Sequence, residues 1–290
     1  MGLRLKFNLV LAGVFVVGLV VSGIISWNLL QNNARDEVVR NAELLMETAL
    51  AVRGYTVAQV KPHLEDKLDK EFLPQTVPAY AATEALNEVR KKYPDYSYKE
   101  ATLNPTNPRN RAVEWETDVV NAFRGRAELK ELSGERVTAT GRSLYVARPI
   151  KIGNPACLAC HSVPAAAPAS MLKLYGSNNG FGWKHNEIIG AQVVSVPMTL
   201  PVENANRAFI TFMLSLAAVF VAVFVALNLM LSWIIIRPIA NMSGAADKVS
   251  IGNFEIPEFS EAGKDEVSVL AASFNRMRRS LQQAMKLIES

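Results

Sequence analysis

Hydrophobic and polar positions divide the chain into stretches of different period. Phe7 to Ala34 is a run of 28 residues without a charge, and Ala208 to Ile236 is another of 29. At about 1.5 Å per residue, each outruns a hydrocarbon core of roughly 30 Å, so each can span a bilayer as a helix. A signal peptide would show an apolar run of only about 7–15 residues and a small-residue cleavage site, so the first run reads as an uncleaved anchor. No polar face survives along the second, which argues against a core helix. Beyond the first run Val39, Ala42, Met46, Ala49 and Arg53 recur at spacings of three and four. They predict a helix that continues to about Val60, where Pro62 breaks it.

A further helix is expected over Ala79–Lys92, stopped by Pro94, and another from near Ala112. Alternation marks strands in "YSYKEAT", in "RVTATGRSLYVARPI" with Gly141 at the turn, and in "EIIGAQVVSVPM", closed by Pro197. Helices first, then strands around a loop, then a strand leading into a membrane helix make an α+β order. Past Arg237 the period changes again. Ile239, Met242, Ala246 and Val249, and after a connector Leu270, Phe274, Met277, Leu281, Ala284 and Ile288, follow heptad steps. A lone helix cannot bury such a seam, so two helices from each of two chains are expected to close a parallel four-helix coiled coil.

The pattern divides the chain into an anchor at 1–34, a domain at 35–207, a second span at 208–236 and a terminal module at 237–290. Arg4 and Lys6 precede the first span, and Arg237, Arg276, Arg278 and Arg279 follow the second. By the positive-inside rule both termini are expected in the cytoplasm, with the middle domain on the periplasmic side of the inner (plasma) membrane. Trp27 and Trp233 fall near span ends, where amphipathic rings favour the interface. The net charge of +4 comes from scattered basic residues and gives no case for nucleic-acid binding.

The two cysteines of the chain, Cys157 and Cys160, stand in "NPACLACHSVP" with His161 directly behind them. A redox disulfide needs no histidine there. A zinc site drawn from Cys157, Cys160, His63 and His185 would leave His161 unexplained. C-x-x-C-H is the attachment signature of a c-type haem: two thiols for the vinyl groups and an imidazole for the iron, with one motif implying one haem per chain. The expected extracytoplasmic placement agrees with covalent attachment. For the sixth iron position the span-to-span segment offers the thioethers of Met46, Met171 and Met198 and the imidazoles of His63 and His185. Met46 lies on a helical stripe beside the small residues Ala42 and Ala49, so it reads either as the distal ligand or as ordinary core. Arg53, at the end of that stripe, is the candidate partner of a propionate. His63 and His185 read as surface residues or neighbours of the ligands, and an open or water-bound iron is the remaining option.

"FLPQTVPAYAA", "YSYKEATLNPTNPRN", "CLACH" and "YGSNNGFGWKHNEIIGAQVVSVPM" together resemble the bacterial family of single-haem, PAS-like periplasmic sensor domains common in cyanobacteria, over about Ala34 to Met198. The resemblance implies haem c linked through Cys157 and Cys160, His161 as proximal ligand, and a variable distal ligand, often a sulfur side chain from the first long helix. That helix carries no cysteine here, so Met46 is the candidate by resemblance too. "RPIANMSGAADKVSIGNF" and "KDEVSVLAASFNRM" resemble a HAMP domain, with Pro238 and Glu266 at characteristic positions and Gly252 turning the connector away.

Sensor, span and HAMP in that order predict a homodimeric signal-transduction receptor that reads redox state or a small ligand through its haem. No P-loop, kinase motif or nucleophile elbow is present, so no enzyme is expected, and the output would be a cytoplasmic effector acting in trans. A membrane-tethered monohaem electron carrier is the alternative. A peroxidase would want a distal His–Arg pair, and none is visible.

Overall fold

A long opening helix dominates the computed structural model, which describes residues 2–68 and 70–289. Met1, Asp69 and Ser290 lie outside the described residues, as does the side chain of the last expected seam position, Ile288. Helix α1 runs unbroken over Leu3–Tyr55, so the expected anchor and the expected Met46 helix are one element. A π turn at Thr56–Val60 and the short α2, Lys61–Leu64, follow it. The cause is Pro62: a proline offers no N–H and its ring clashes with the carbonyl four residues back, so the ladder slips and Lys61 N–H bonds Thr56 O instead.

Residues 27–208 form one compact unit. After α2 come α3, Pro78–Lys92; β1, Ser97–Thr102; α4, Glu114–Gly125; β2, Leu132–Thr138; and β3, Gly141–Lys151. Helix α5, Leu158–His161, and α6, Ala169–Tyr175, precede β4, Ile188–Pro197. The strands make an antiparallel sheet in the order β1-β4-β3-β2, with the first strand against the last. β2 and β3 pair directly through a turn at Gly141, whose φ of 115° suits glycine alone. The observed α+β layout is the expected one.

Because side chains alternate across a strand, each sheet face has its own core. Tyr98, Leu144, Val146, Val194 and Val196 meet Val38, Ala42, Met46 and Ala49 of α1 on one face. Ala101, Ala147, Ala191 and Val193 meet Val119, Val120 and Phe123 of α4 on the other. At the end of β4, Met198 N–H bonds Arg142 O and α7, Thr199–Leu231, begins at the next residue.

The other unit comprises residues 1–26 and 209–290. Among the described residues two helices are long and apolar enough to cross a membrane, with mean hydropathy of 2.6 and 2.7 over their best windows. Within this unit the rings of Phe15 and Phe220 stack at 4.7 Å, beside Gly18. A second π turn, Ser232–Ile236, ends α7, and Arg237 N–H bonds Ser232 O ahead of Pro238. Helices α8, Arg237–Ser250, and α9, Glu266–Glu289, are joined by an extended connector. The connector is fastened by polar side chains as much as by the seam. Asn275, 1% exposed, bonds both N–H and C=O of Phe259, while Arg278 bonds Ile256 O and Glu258. Ala245 and Val249 are buried against Phe274 and Met242 is buried as well, whereas Ile239, Leu270, Met277 and Leu281 stay 41–49% exposed in the single chain. Ala245 is the buried alanine of α8, and the expected Ala246, half-buried, packs against the same cluster together with the connector residues Phe254, Ile256 and Phe259.

Candidate functional site

The turn Pro155–Cys157 and helix α5 carry Cys157, Cys160 and His161. Asn154 starts that turn by accepting the N–H of Ala156 at 2.9 Å. A spacing of three places both thiols on one side of a helical turn. Both sulfurs are unbonded and half-buried, and burial raises the Cys160 pKa against the pull of Lys61. Among the described residues, no group of three or more His, Cys, Asp or Glu side chains is gathered for a metal, so the four ligands of a zinc site are not brought together.

His161 is held by two loops that the sequence left unconnected. Its Nδ1 lies 2.8 Å from Gly180 O. A carbonyl can only accept, so the proton sits on Nδ1 and Nε2 keeps a free lone pair, the tautomer a metal-binding imidazole requires. Burial lowers the His161 pKa, while the Gly180 bond works the other way, and the neutral form is favoured. Trp183 stacks on the ring at 4.0 Å. Gly180 reaches the imidazole only as glycine. Its φ is 84°, and a Cβ there would stand 1.9 Å from Thr106 Oγ1. The Asn104 amide then brackets the same peptide, accepting from Gly180 N–H and donating to Phe181 O, each at 3.2 Å. "LNPTN" and "NNGFGW" are thus one clamp on His161. The clustering of Asn, Pro and Gly was the signal that could have announced it.

His161 lines a cavity of about 120 Å³ together with Phe72, Tyr80, Glu100, Arg109, Met171 and Tyr175. Met171 is 2% exposed. Met46 is not among the lining residues; it is wholly buried in the core between α1 and the sheet. The stripe of small residues on α1 accommodates Tyr98, Val146 and Val194 there, and the structure does not bring Met46 together with His161. Arg53 also stands back from the cavity, paired with Glu100, which takes the Tyr98 hydroxyl at 2.7 Å as well. Glu100 is 3% exposed and forms the cavity wall, so Arg53 acts on the cavity through it, and the arginine that lines the cavity is Arg109, paired with Glu84 over the Tyr80 ring. His63 is exposed on α2 and His185 lies in the loop before β4.

A family model described as Tll0287 matches residues 31–197, and a HAMP domain model matches residues 230–283. A solved structure, the crystal structure of the cyanobacterial heme-protein Tll0287, is 18% identical, covers 56% of this chain and 93% of its own, and superposes with a TM-score of 0.40. No curated protein matches the chain. With its membrane-length helices, its α+β domain and the model match across that domain, the chain belongs to the Tll0287-like family and carries a HAMP domain behind its second apolar helix.

Proposed function

We propose that this chain is a two-pass membrane receptor whose periplasmic domain holds one covalently linked haem c and reports redox state or a small iron ligand through HAMP. The observation that carries the reading is the His161 tether. An imidazole directly behind two thiols has its Nδ1–H fixed on Gly180 O and its Nε2 free, beside a cavity. That donor set fits a haem: Cys157 and Cys160 would form the thioether links, His161 would bind the iron, and Met171 is the thioether that shares the His161 cavity. Arg109 is the cation that lines the cavity, and a carboxylate arm would share it with Glu84. When bound, such a group supplies an iron centre whose charge and ligation change with oxidation state or gas binding.

The residues around the cavity provide a route outward. Glu100 in its wall pairs with Arg53, two helical turns beyond Met46 on α1, and α1 continues into the first apolar span. β4, which contributes Ile189 to the same wall, runs through Met198 into α7. A change of charge in the cavity therefore acts on both helices that lead to the membrane. The exposed heptad positions of α8 and α9 suit a homodimer, with a cytoplasmic effector as the output partner.

At about 120 Å³ the cavity takes a small ligand or the edge of a ring, so full loading requires the loop carrying Phe72 and the end of α6 at Tyr175, now in edge contact at 5.8 Å, to part. The test is co-expression with a cytochrome c maturation apparatus. The wild-type chain should keep haem stain after denaturation, and Cys157→Ser/Cys160→Ser should insert normally without it. Equal staining of the two would refute covalent attachment.

A further inference from the structure

Next to the His161 cavity lies a second one of about 280 Å³, between α3, β1 and α4. Its charged lining is Arg90, Lys99 and Arg109 against the single carboxylate of Glu116. Two of these cations are already neutralised. Lys99 Nζ donates to Glu116 Oε2 at 2.6 Å and to Arg111 O at 2.8 Å, and Arg109 pairs with Glu84. Arg90 has no ion-pair or hydrogen-bond partner among the described residues, so one positive charge is left over in the cavity. Asn87 and the hydroxyls of Ser97 and Ser195 add neutral donors, and the buried Val193 gives the floor an apolar spot.

We infer that this second cavity binds a short organic monocarboxylate, with Arg90 as the charged contact. The surplus of one charge sets the valence, the planar guanidinium matches a carboxylate in two parallel hydrogen bonds, and Val193 receives the aliphatic body. Arg109 and Asn110 line both cavities. A carboxylate seated beside Arg109 competes with Glu84 for it and so alters the wall of the His161 cavity, which makes the second cavity an input to the first. The carboxylate can come from a free acid or from the acidic arm of a group held in the first cavity, and the test separates these.

The measurement is calorimetric titration of the full-length chain in lipid nanodiscs with butyrate, and with butyramide as its uncharged counterpart. It is run on the haem-loaded chain and on Cys157→Ser/Cys160→Ser, so the readout does not depend on the cofactor reading. Saturable butyrate binding in both forms, absent for butyramide and weakened at least tenfold by Arg90→Gln but less by Arg90→Lys, is the expected result. Binding confined to the unloaded chain also supports the carboxylate site and assigns its occupant as the acidic arm. No saturable binding in either form, equal binding of butyramide, or an unchanged affinity in Arg90→Gln overturns the inference. Exposed Arg90 is a position where folding tolerates the change, and circular dichroism of the variant verifies that.

Discussion

Replacing Arg53 by methionine leaves the Glu100 carboxylate almost fully buried with the Tyr98 hydroxyl as its remaining side-chain donor. Breaking a buried ion pair by removing one partner costs about 3–5 kcal/mol, because an uncompensated charge stays behind. Here the Arg53 side chain is 25% exposed and the Glu100 side chain 4%, and the 2.7 Å Tyr98 bond persists, which favours the low end, about 3 kcal/mol. In a domain of this size about 1 kcal/mol moves the midpoint by 2–4 °C, so the sensor unit should melt about 6–12 °C lower. Near-ultraviolet circular dichroism of the full-length chain in nanodiscs follows that transition through the aromatic residues of the unit. Adding Glu100→Leu should recover most of the loss, since an apolar pair of similar size removes the stranded charge. A shift under 2 °C in Arg53→Met, or a double variant no more stable than the single one, would show that the pair is solvated and does not tie α1 to the cavity wall.

The two sulfur candidates separate by spectroscopy: Met171→Ala should change the oxidised and reduced absorption of the loaded chain, while Met46→Ala should leave the spectrum alone and cost about 2–5 kcal/mol of core stability. The opposite pattern would return the ligand role to α1. Burial and the neighbouring Glu100 raise the Tyr98 pKa well above the usual phenol value. Its folded form therefore holds the proton more tightly, and the stability from that proton is intact below about pH 10 and is lost as pH rises beyond it. Melting midpoints should fall above pH 10 more steeply in wild type than in Tyr98→Phe, and parallel profiles would contradict this. Gly180→Ala should cost at least about 1–2 kcal/mol for its left-handed backbone alone. Thr106→Ala should restore only part of the added clash, because Thr106 Cα also lies 2.8 Å from the new methyl. Phe274→Asp should unpack the α8–α9 pair and so weaken the proposed HAMP dimer in cross-linking assays, without altering the haem spectrum.

The elements are legible from local signals, since strand alternation, Pro62, Gly141 and the C-x-x-C-H turn act over a few residues. What they could not supply was the opposite side of each contact. The α1 stripe correctly marks Met46 as inward-facing, but a periodicity does not say that the inward direction leads to the sheet rather than to His161. Arg53 ends the same stripe, yet its partner Glu100 lies 47 positions away on β1. The Asn104 clamp on Gly180 spans 76 positions and joins two loops that have no period at all. In the HAMP segment the heptads are legible, whereas the hold of Asn275 on Phe259 is not, because a polar residue on a helix reads as solvated until a connector is found against it.

The π turn at Ser232–Ile236 has a mechanical consequence for the helix behind it. A wider turn accommodates one residue more than regular α-helix, and one residue is about 100° of azimuth at 3.6 residues per turn. If Pro238 were replaced and the coil tightened to plain α, every side chain from Arg237 onward would swing by roughly that angle about the axis, taking Ala245 and Val249 off the face they now share with Phe274. The proline thus sets the angular phase in which any torque or stroke from the apolar helix is delivered to α8.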